Sequence, residues 1–192
     1  MNNVEVTKAV VSVLEECQVD YMLVGAYSSN AYGIARATHG ADFVVDVKPG
    51  DLRAIAQRLG PDFVLDPQIM MEGITGSLRN IITYTPTLFQ IELFRLNTKD
   101  EHHEARFHRR HRHLLAEIQR EVWLPAVEDV VIQKLRWKRR KDLDDVVNVL
   151  TVSGPIIDWT YLRSWTQKHG TDSLLDELLR EVPDLPDTGP TA

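Results

Sequence analysis

The chain has a single cysteine, Cys17, among its 192 residues. One thiol cannot close an internal disulfide, which favours a reducing compartment. No apolar run approaches the roughly 18 residues that a membrane-spanning helix needs, so we expect no membrane segment. The first residues, MNNVE, lack the basic start and the apolar core of a signal peptide. The sequence therefore predicts a cytoplasmic protein.

Motifs that identify several common enzyme classes are also missing. There is no Gly-x-Gly-x-x-Gly and no Walker loop, which excludes dinucleotide binding and P-loop chemistry on motif grounds. Ser28 and Ser29 lack the Gly-x-Ser-x-Gly elbow of a serine hydrolase. Five histidines lie within 102–113, but without paired cysteines or a His-Glu-x-x-His pattern they do not predict a zinc site. With four interleaved arginines, they predict a basic, partly exposed segment at 100–116.

The charge of the chain is negative overall but unevenly placed. Hydrophobic residues make up 43% and charged residues 26%, which is typical of a folded globular chain. The net charge of −6 argues against a protein that coats double-stranded DNA. Six of the eight residues at 134–141 (KLRWKRRK) are nevertheless basic, which leaves open a focused anion site. This run and 106–113 also leave open an RNA-binding module that uses phosphate pairing and stacking on Trp137.

Hydrophobic patterning predicts a sheet followed by helices. Strands are expected where short runs are rich in β-formers, and helices where apolar residues recur at three- and four-residue spacing. The predicted strands are 21–24, 41–47, 63–65, 81–84, 88–94 and 121–124, the fourth and fifth forming an antiparallel pair. The predicted helices are 3–18, 50–59, 125–138, 141–151, 158–168 and 172–180.

The predicted fold class is therefore α+β, with a short mixed β-sheet flanked by helices and followed by a helical C-terminal part. We place the α/β core at 1–116 and the helical part, packed on the core, at 117–182. The proline-containing tail at 183–192 is predicted to be disordered.

Two acidic residues and a glycine turn are the main candidates for a functional site. The first strand ends at Gly25-Ala26, small residues that let a ligand approach the backbone closely. A later strand carries Asp42, and Glu92 interrupts the apolar strand LFQIELF. A carboxylate in such a strand is costly to bury unless a cation or another partner compensates it. Two acids on neighbouring strands beside a glycine turn are suited to hold a metal ion and a phosphate chain.

With these residues, the sequence resembles the nucleotidyltransferase superfamily of polymerase-beta-like folds. It is similar in particular to the AbiEii-like minimal nucleotidyltransferases of bacteria, many of which are toxins of toxin–antitoxin pairs. The family signature is a hydrophobic strand ending in Gly-Gly or Gly-Ser, a loop with Arg-x-Thr-x-Asp-x-Asp, a third acid on a later strand, a Pro-Glu-Asp segment followed by Lys-Leu, and Lys-Asp-x-x-Asp. The matching residues, over roughly 20–150, are Gly25-Ala26, Arg36, Thr38, Asp42, Glu92, Pro125 to Asp129, Lys134-Leu135 and Lys141 to Asp145.

The resemblance implies a nucleotidyltransferase-like fold and an activity. A nucleoside monophosphate would move from an NTP to an RNA end or a protein hydroxyl, with release of pyrophosphate. Asp42 and Glu92 would bind Mg²⁺ or Mn²⁺, and Glu92 would be the candidate base at the attacking hydroxyl. Lys134 would act in catalysis as a point charge on the phosphates. The resemblance also implies an antitoxin protein as a partner. The lack of a long apolar run and the net negative charge predict that neither a membrane nor double-stranded DNA is a partner.

The remaining roles also follow from the resemblance alone. The predicted nucleotide-binding residues are Gly25, Ala26, Arg36, Thr38 and Lys134. Behind them, Asp142 and Asp145 would hold Lys134 or the neighbouring arginines in place.

Gly40 departs from the family pattern. With Thr38 as the anchor, the first acid of Asp-x-Asp belongs at position 40; if Asp42 is instead the first acid, Val44 replaces the second. Nucleotidyl transfer with two metal ions uses three carboxylates. Asp46 lies roughly 13 Å along the strand from Asp42 and is too far away to substitute. An alternative prediction is therefore a degenerate nucleotidyltransferase fold that binds nucleotide or a partner protein without turnover.

Overall fold

The computed structural model describes residues 1–48 and 50–183. Within them it confirms the predicted fold class, a mixed sheet with helices followed by a helical part. None of the described helices is both long and apolar enough to cross a membrane. From residue 184 on, the predicted tail at 183–192 lies outside the described residues.

The described secondary structure contains the predicted strands and helices and adds strands β4 and β7 and helices α2 and α4. The strands are β1 (Asp20–Val24), β2 (Gly40–Asp46), β3 (Phe63–Leu65), β4 (Met70–Met71), β5 (Leu78–Tyr84), β6 (Phe89–Arg95), β7 (His111–Leu115) and β8 (Arg120–Leu124). The α-helices are α1 (Asn3–Glu16), α2 (Gly25–Tyr32), α3 (Asp51–Leu59), α4 (Glu101–His108), α5 (Val127–Trp137), α6 (Arg140–Ser153), α7 (Trp159–Lys168) and α8 (Asp172–Leu179).

The chain forms two compact units. One comprises residues 1–31 and 35–126, and the other comprises 32–34 together with the described residues from 127 on. The first unit contains the sheet, and the second contains α5 to α8. The domain boundary after residue 116 stays a prediction.

Six strands of the first unit form one mixed sheet in the order β1-β2-β6-β5-β3, with β4 also beside β5. β2 and β6 run parallel, whereas the other neighbours are antiparallel, including the predicted pair β5 and β6. β7 and β8 form a separate hairpin. Because β2 pairs with β6, residues distant in sequence become lateral neighbours at the centre of the sheet.

The two faces of the sheet differ in how they are covered. On one face, α1 and α3 pack on the strands through side chains that include Val10, Leu14, Phe43, Ile55 and Leu93. Each buried side chain of this size contributes about 1.5–3 kcal/mol. Successive strand residues point to opposite faces, and the second face has a smaller cluster of Met22, Val24, Val44, Phe94 and Phe107. The rest of that second face carries Asp42 and Glu92.

The segment at 100–116 is more ordered than its polar composition predicts. It contains α4 and β7, and it is partly exposed, as predicted: His102, His103 and Arg106 are buried, whereas His108 and Arg112 are exposed. His103 Nδ1 accepts a hydrogen bond from the Asn97 backbone N–H at 3.0 Å. The Asp100 carboxylate accepts one from the His103 backbone N–H at 2.8 Å and caps α4. Hydrogen bonds of this kind allow polar residues to be buried.

Glu15, near the end of α1, connects this helix to β1 and to the β7–β8 hairpin. Its carboxylate accepts hydrogen bonds from Arg112 (2.9 Å), Arg120 (2.6 Å) and the Tyr21 hydroxyl (3.0 Å). Partial burial raises the pKa of the Glu15 carboxyl, but these hydrogen bonds outweigh burial, so the pKa lies below its usual value. The stability from this group is therefore complete above the unfolded pKa of about 4.3 and is lost as the pH falls through the lower folded pKa.

Glu15→Gln is expected to lower the free energy of unfolding by about 1–2 kcal/mol at pH 7, because two ion pairs lose their charge. The difference from wild type should shrink as the pH is lowered towards 3, because the wild-type carboxyl then takes up a proton. Urea denaturation of both proteins at pH 7 and near pH 3 measures this difference in the free energy of unfolding. Glu16→Gln is the matched control, because Glu16 pairs with Arg58 through side chains that are 56% and 59% exposed. Equal losses in the two variants at pH 7 would contradict this account.

Candidate functional site

Asp42 and Glu92 are register partners on the adjacent parallel strands β2 and β6. Neighbouring strands lie about 4.8 Å apart, and side chains at the same register project from the same face. Both residues are partly exposed. The structure thus brings the two predicted acids together on the open part of the second face, and their catalytic role stays a prediction.

Gly25 lies directly against Asp42. It follows Val24, the register partner of Asp42 in β1, and begins α2 with a φ of 66°. This left-handed conformation favours glycine. A Cβ atom at Gly25 would be 2.0 Å from Asp42 Oδ2, so no side chain fits while Asp42 keeps its place. The Gly25 carbonyl oxygen accepts hydrogen bonds from Ser28 Oγ (3.0 Å) and Ser29 Oγ (3.1 Å), which hold the turn.

The turn from β1 into α2 has the features of an anion site. Ala26 is the second residue of α2 and is buried. The first backbone N–H groups of a helix have no partner within it, and the helix dipole favours negative charge at that end. Because Gly25 contacts Asp42, the beginning of α2 lies beside the Asp42 carboxylate.

Arg36 and Thr38 lie in the loop that connects α2 to β2. The Asn30 side chain donates to the Arg36 carbonyl oxygen (2.8 Å) and accepts from the Arg36 N–H (3.0 Å). Thr38 Oγ1 donates to the Gly40 carbonyl oxygen at 2.7 Å. These contacts fix the loop backbone, and the Arg36 side chain is exposed. A role for either residue in nucleotide binding stays a prediction.

Gly40 begins β2 opposite Gln90 of β6. A Cβ atom at position 40 would lie 2.9 Å from the Gln90 carbonyl oxygen, so a side chain there would push the two strands apart. The acid missing from the family pattern is therefore replaced by a close backbone contact. Gly40→Asp would disturb the β2–β6 pairing that aligns Asp42 with Glu92, so it cannot serve as a simple restoration of the acid.

Arg79 is a member of the site that sequence patterns do not reveal. Its Nη1 donates to Glu92 Oε2 at 2.8 Å, and the two side chains are 28% and 24% exposed. Arg79 lies two residues before Ile81, the register partner of Glu92, and therefore points to the same face. Its Nη2 contacts Met70 Sδ at 3.5 Å. Only the antiparallel register of β5 and β6 brings this arginine to Glu92, and no local motif predicts it.

In the second unit, Lys134 of α5 is buried between two carboxylates of α6. Its Nζ donates to Asp142 Oδ1 at 3.1 Å and to Asp145 Oδ2 at 2.6 Å. The exposed fractions of the three residues are 4%, 0% and 2%. Arg139 also donates to Asp142, with Nη2 3.2 Å from Oδ1. The structure thus joins the three predicted residues in one buried network, whose role towards a nucleotide stays a prediction.

The carboxylates fit one divalent cation better than a pair. Among the described residues, no group of three or more His, Cys, Asp or Glu side chains is placed to hold a metal ion. Mg²⁺ is usually bound by one or two carboxylates together with substrate phosphates and waters. Asp42 and Glu92 would supply the two carboxylates for one ion of that kind, whereas no three-carboxylate cluster forms among the described residues.

The arginines of 106–113 are engaged in contacts within the first unit. Arg110 donates to Asp20 at 2.7 Å, and its guanidinium lies 4.1 Å from the centre of the Phe107 ring. Arg112 donates to Glu15 at 2.9 Å and lies 5.5 Å from the ring centre of Trp123. The structure thus gives both arginines acidic and aromatic partners within the first unit, and an RNA-binding role for this segment stays a prediction.

The comparisons with known proteins give structural neighbours only. No family model and no curated protein matches the chain. The antibiotic-resistance factor ANT(2'')-Ia has a TM-score of 0.58 at 11% identity over 93% of this chain and 96% of that chain. Its complex with adenylyl-2''-tobramycin gives 0.56 at 12% identity over 90% and 99%. An antigenic nucleotidyltransferase-like protein from Paracoccidioides brasiliensis gives 0.53 at 14% identity over 93% of each chain. The fold is therefore nucleotidyltransferase-like.

Proposed function

We propose that this protein is a metal-dependent nucleotidyltransferase that moves a nucleoside monophosphate from an NTP to a hydroxyl acceptor. The observation that supports it most is the alignment of Asp42 with Glu92 beside the Gly25 turn. The nucleotidyltransferase-like fold adds support, and the structure of one neighbour, ANT(2'')-Ia, is a complex with adenylyl-2''-tobramycin.

In the proposed reaction, the acceptor oxygen attacks the α-phosphorus of the NTP. A new P–O bond forms, the bond to the β-phosphate oxygen breaks, and pyrophosphate leaves. Glu92 takes the proton of the attacking hydroxyl, for which its Oε1 is available because Arg79 binds Oε2. Catalysis of this type depends on positioning and on neutralisation of phosphate charge.

The nucleotide would be held from several sides. Backbone groups of Gly25 and Ala26 at the beginning of α2 would contact the phosphate chain. Arg36 and Thr38, in the loop before β2, would complete the contacts.

Asp42 and Glu92 would hold Mg²⁺ or Mn²⁺ together with the nucleotide phosphates. A bound divalent ion supplies positive charge to the phosphates and orients the reacting groups. The two carboxylates provide the hard oxygen ligands that either ion accepts.

For the acceptor, we propose an RNA end or a protein hydroxyl, and for the biological role a cytoplasmic toxin restrained by an antitoxin. Both proposals are supported by the resemblance to AbiEii-like proteins. If the role is correct, induced expression of the wild-type chain should arrest bacterial growth, whereas expression of the Asp42→Ala, Glu92→Ala double variant should not.

The activity is tested by incubating the purified protein with each α-labelled NTP, Mg²⁺ or Mn²⁺, and total bacterial RNA and protein. We expect label in RNA or protein from the wild type and none from the Asp42→Ala, Glu92→Ala double variant. Label transfer that persists in the double variant would contradict the assigned site. The acceptor fraction that carries the label distinguishes RNA from protein.

A degenerate fold that binds nucleotide without turnover is the second candidate. It is favoured by Gly40, where the family has an acid and this chain has a close backbone contact. The same assay separates the two candidates. Binding of nucleotide without label transfer, for all four NTPs and both metals, would favour the degenerate fold.

A further inference from the structure

The salt bridge between Arg79 and Glu92 changes the charge of the site. Nucleotidyl transfer with three carboxylates and two divalent ions has a net charge of plus one before substrate binds. The present face has two carboxylates and the guanidinium of Arg79. With a single divalent ion, this set reaches the same net charge of plus one. One guanidinium is thus equivalent in charge to the missing carboxylate together with the second ion.

We propose that Arg79 replaces a second metal ion, so that the site binds one divalent ion and uses the guanidinium as its other phosphate-binding cation. This inference rests on the proposed nucleotidyl transfer and specifies how that site is built. It makes Arg79 a substrate-binding residue. The lack of an acid at Gly40 then belongs to a site that binds one metal ion and does not indicate lost activity.

The geometry of Arg79 suits this role. A guanidinium has five N–H donors in a planar fork, and the described contacts use one on Glu92 and one on Met70. These two contacts hold the group on the face that carries Asp42 and Glu92, and the remaining donors are left to bind phosphate oxygens. Arginine binds phosphate with paired, charge-assisted hydrogen bonds. The half-buried position reduces screening by water.

A purely structural salt bridge would behave differently. Partly exposed ion pairs contribute only about 0–1 kcal/mol to stability, and removal of such a pair leaves ligand binding unchanged. A structural Arg79 would also compete with a metal ion for Glu92, so its removal would only strengthen metal binding. Loss of nucleotide affinity on removal of Arg79 therefore separates the two roles.

The test measures stoichiometry and affinity without catalysis. Equilibrium dialysis with Mn²⁺ and the α,β-methylene analogues of ATP, GTP, CTP and UTP counts the ions bound per chain and gives the analogue dissociation constant. The variants are Arg79→Gln, which removes the charge, and Arg79→Lys, which keeps it. Arg58→Gln is the matched control, since Arg58 forms a comparable ion pair with Glu16 at 3.1 Å in the same unit. Circular dichroism checks that every variant is folded.

We expect one Mn²⁺ per wild-type chain at saturation. Arg79→Gln should weaken analogue binding at least about tenfold, because a charge-assisted contact is lost. Arg79→Lys should weaken it less, because the positive charge is kept while the paired hydrogen bonds of the guanidinium are lost. Two Mn²⁺ per chain, or a loss in Arg79→Gln no larger than in Arg58→Gln, would overturn the inference and leave nucleotidyl transfer standing. Binding of neither Mn²⁺ nor any analogue by the wild type would overturn the proposed function as well.

Discussion

Replacement of Gly25 by alanine is expected to reduce nucleotidyl transfer at least about 100-fold, because it displaces a carboxylate of the site. The new Cβ would meet Asp42 Oδ2 at 2.0 Å and Asp42 Cγ at 2.9 Å. Asp42 must then leave its register position beside Glu92, or the beginning of α2 must move. The free energy of unfolding should fall by about 2–5 kcal/mol, from left-handed backbone strain and overpacking together.

Gly170→Ala is the control that separates the effect of backbone strain from the effect of displacing Asp42. Gly170 has a φ of 63°, close to that of Gly25, but nothing lies within 4 Å of its added Cβ. Gly170→Ala should therefore lose only about 1–2 kcal/mol of stability, because of backbone strain, and its transfer rate should not change. Urea denaturation and the labelled-NTP assay measure the two effects. A Gly25→Ala variant no less active than Gly170→Ala would contradict the contact between Gly25 and Asp42 as a requirement of the site.

Lys134→Met is expected to lower the free energy of unfolding by about 3–5 kcal/mol, the usual consequence of leaving a buried charge without its partner. The Asp142 and Asp145 carboxylates have almost no access to water and share the Lys134 ammonium. Methionine has a similar length but no charge. Urea denaturation followed by circular dichroism measures the change.

Arg139→Met serves as the comparison for the buried network. Arg139 also binds Asp142, but its side chain is 54% exposed, so water replaces the lost contact. We expect a loss of no more than about 1 kcal/mol. Adding Asp142→Asn and Asp145→Asn to Lys134→Met should restore part of the stability, because the unpaired charges are removed. If Lys134→Met and Arg139→Met lose the same stability, the lysine is not the main counter-ion of the pair.

Much of the sheet could be predicted from short apolar runs, because strand patterning is local. Gly25, Asp42 and Glu92 could also be singled out, the first as the end of a strand and the acids as charges within apolar runs. Their lateral alignment could not be derived from the residues alone. It depends on the parallel pairing of β2 with β6, two segments separated by α3 and three strands.

The parts that sequence patterns miss are those set by tertiary contacts. Arg79 reaches Glu92 through the register of β5 on β6. The histidines of α4 look like a polar set on a basic segment, yet His102 and His103 are buried, and His103 Nδ1 accepts a hydrogen bond from the Asn97 backbone N–H inside the fold. The close contact of Gly40 with the Gln90 carbonyl depends on the approach of two strands, and neither local sequence predicts it.

The transfer rate of Asp42→Asn compared with that of Asp46→Asn tests the central claim most directly. Both changes remove one negative charge from β2 and add almost no volume, but Asp42 stands beside Glu92 and Gly25, whereas Asp46 is exposed at the end of the strand. With α-labelled NTP and Mn²⁺, Asp42→Asn should be slowed at least about 100-fold, and Asp46→Asn should match the wild type. Equal transfer rates in the two variants would contradict the assignment of nucleotidyl transfer to the Asp42–Glu92 site.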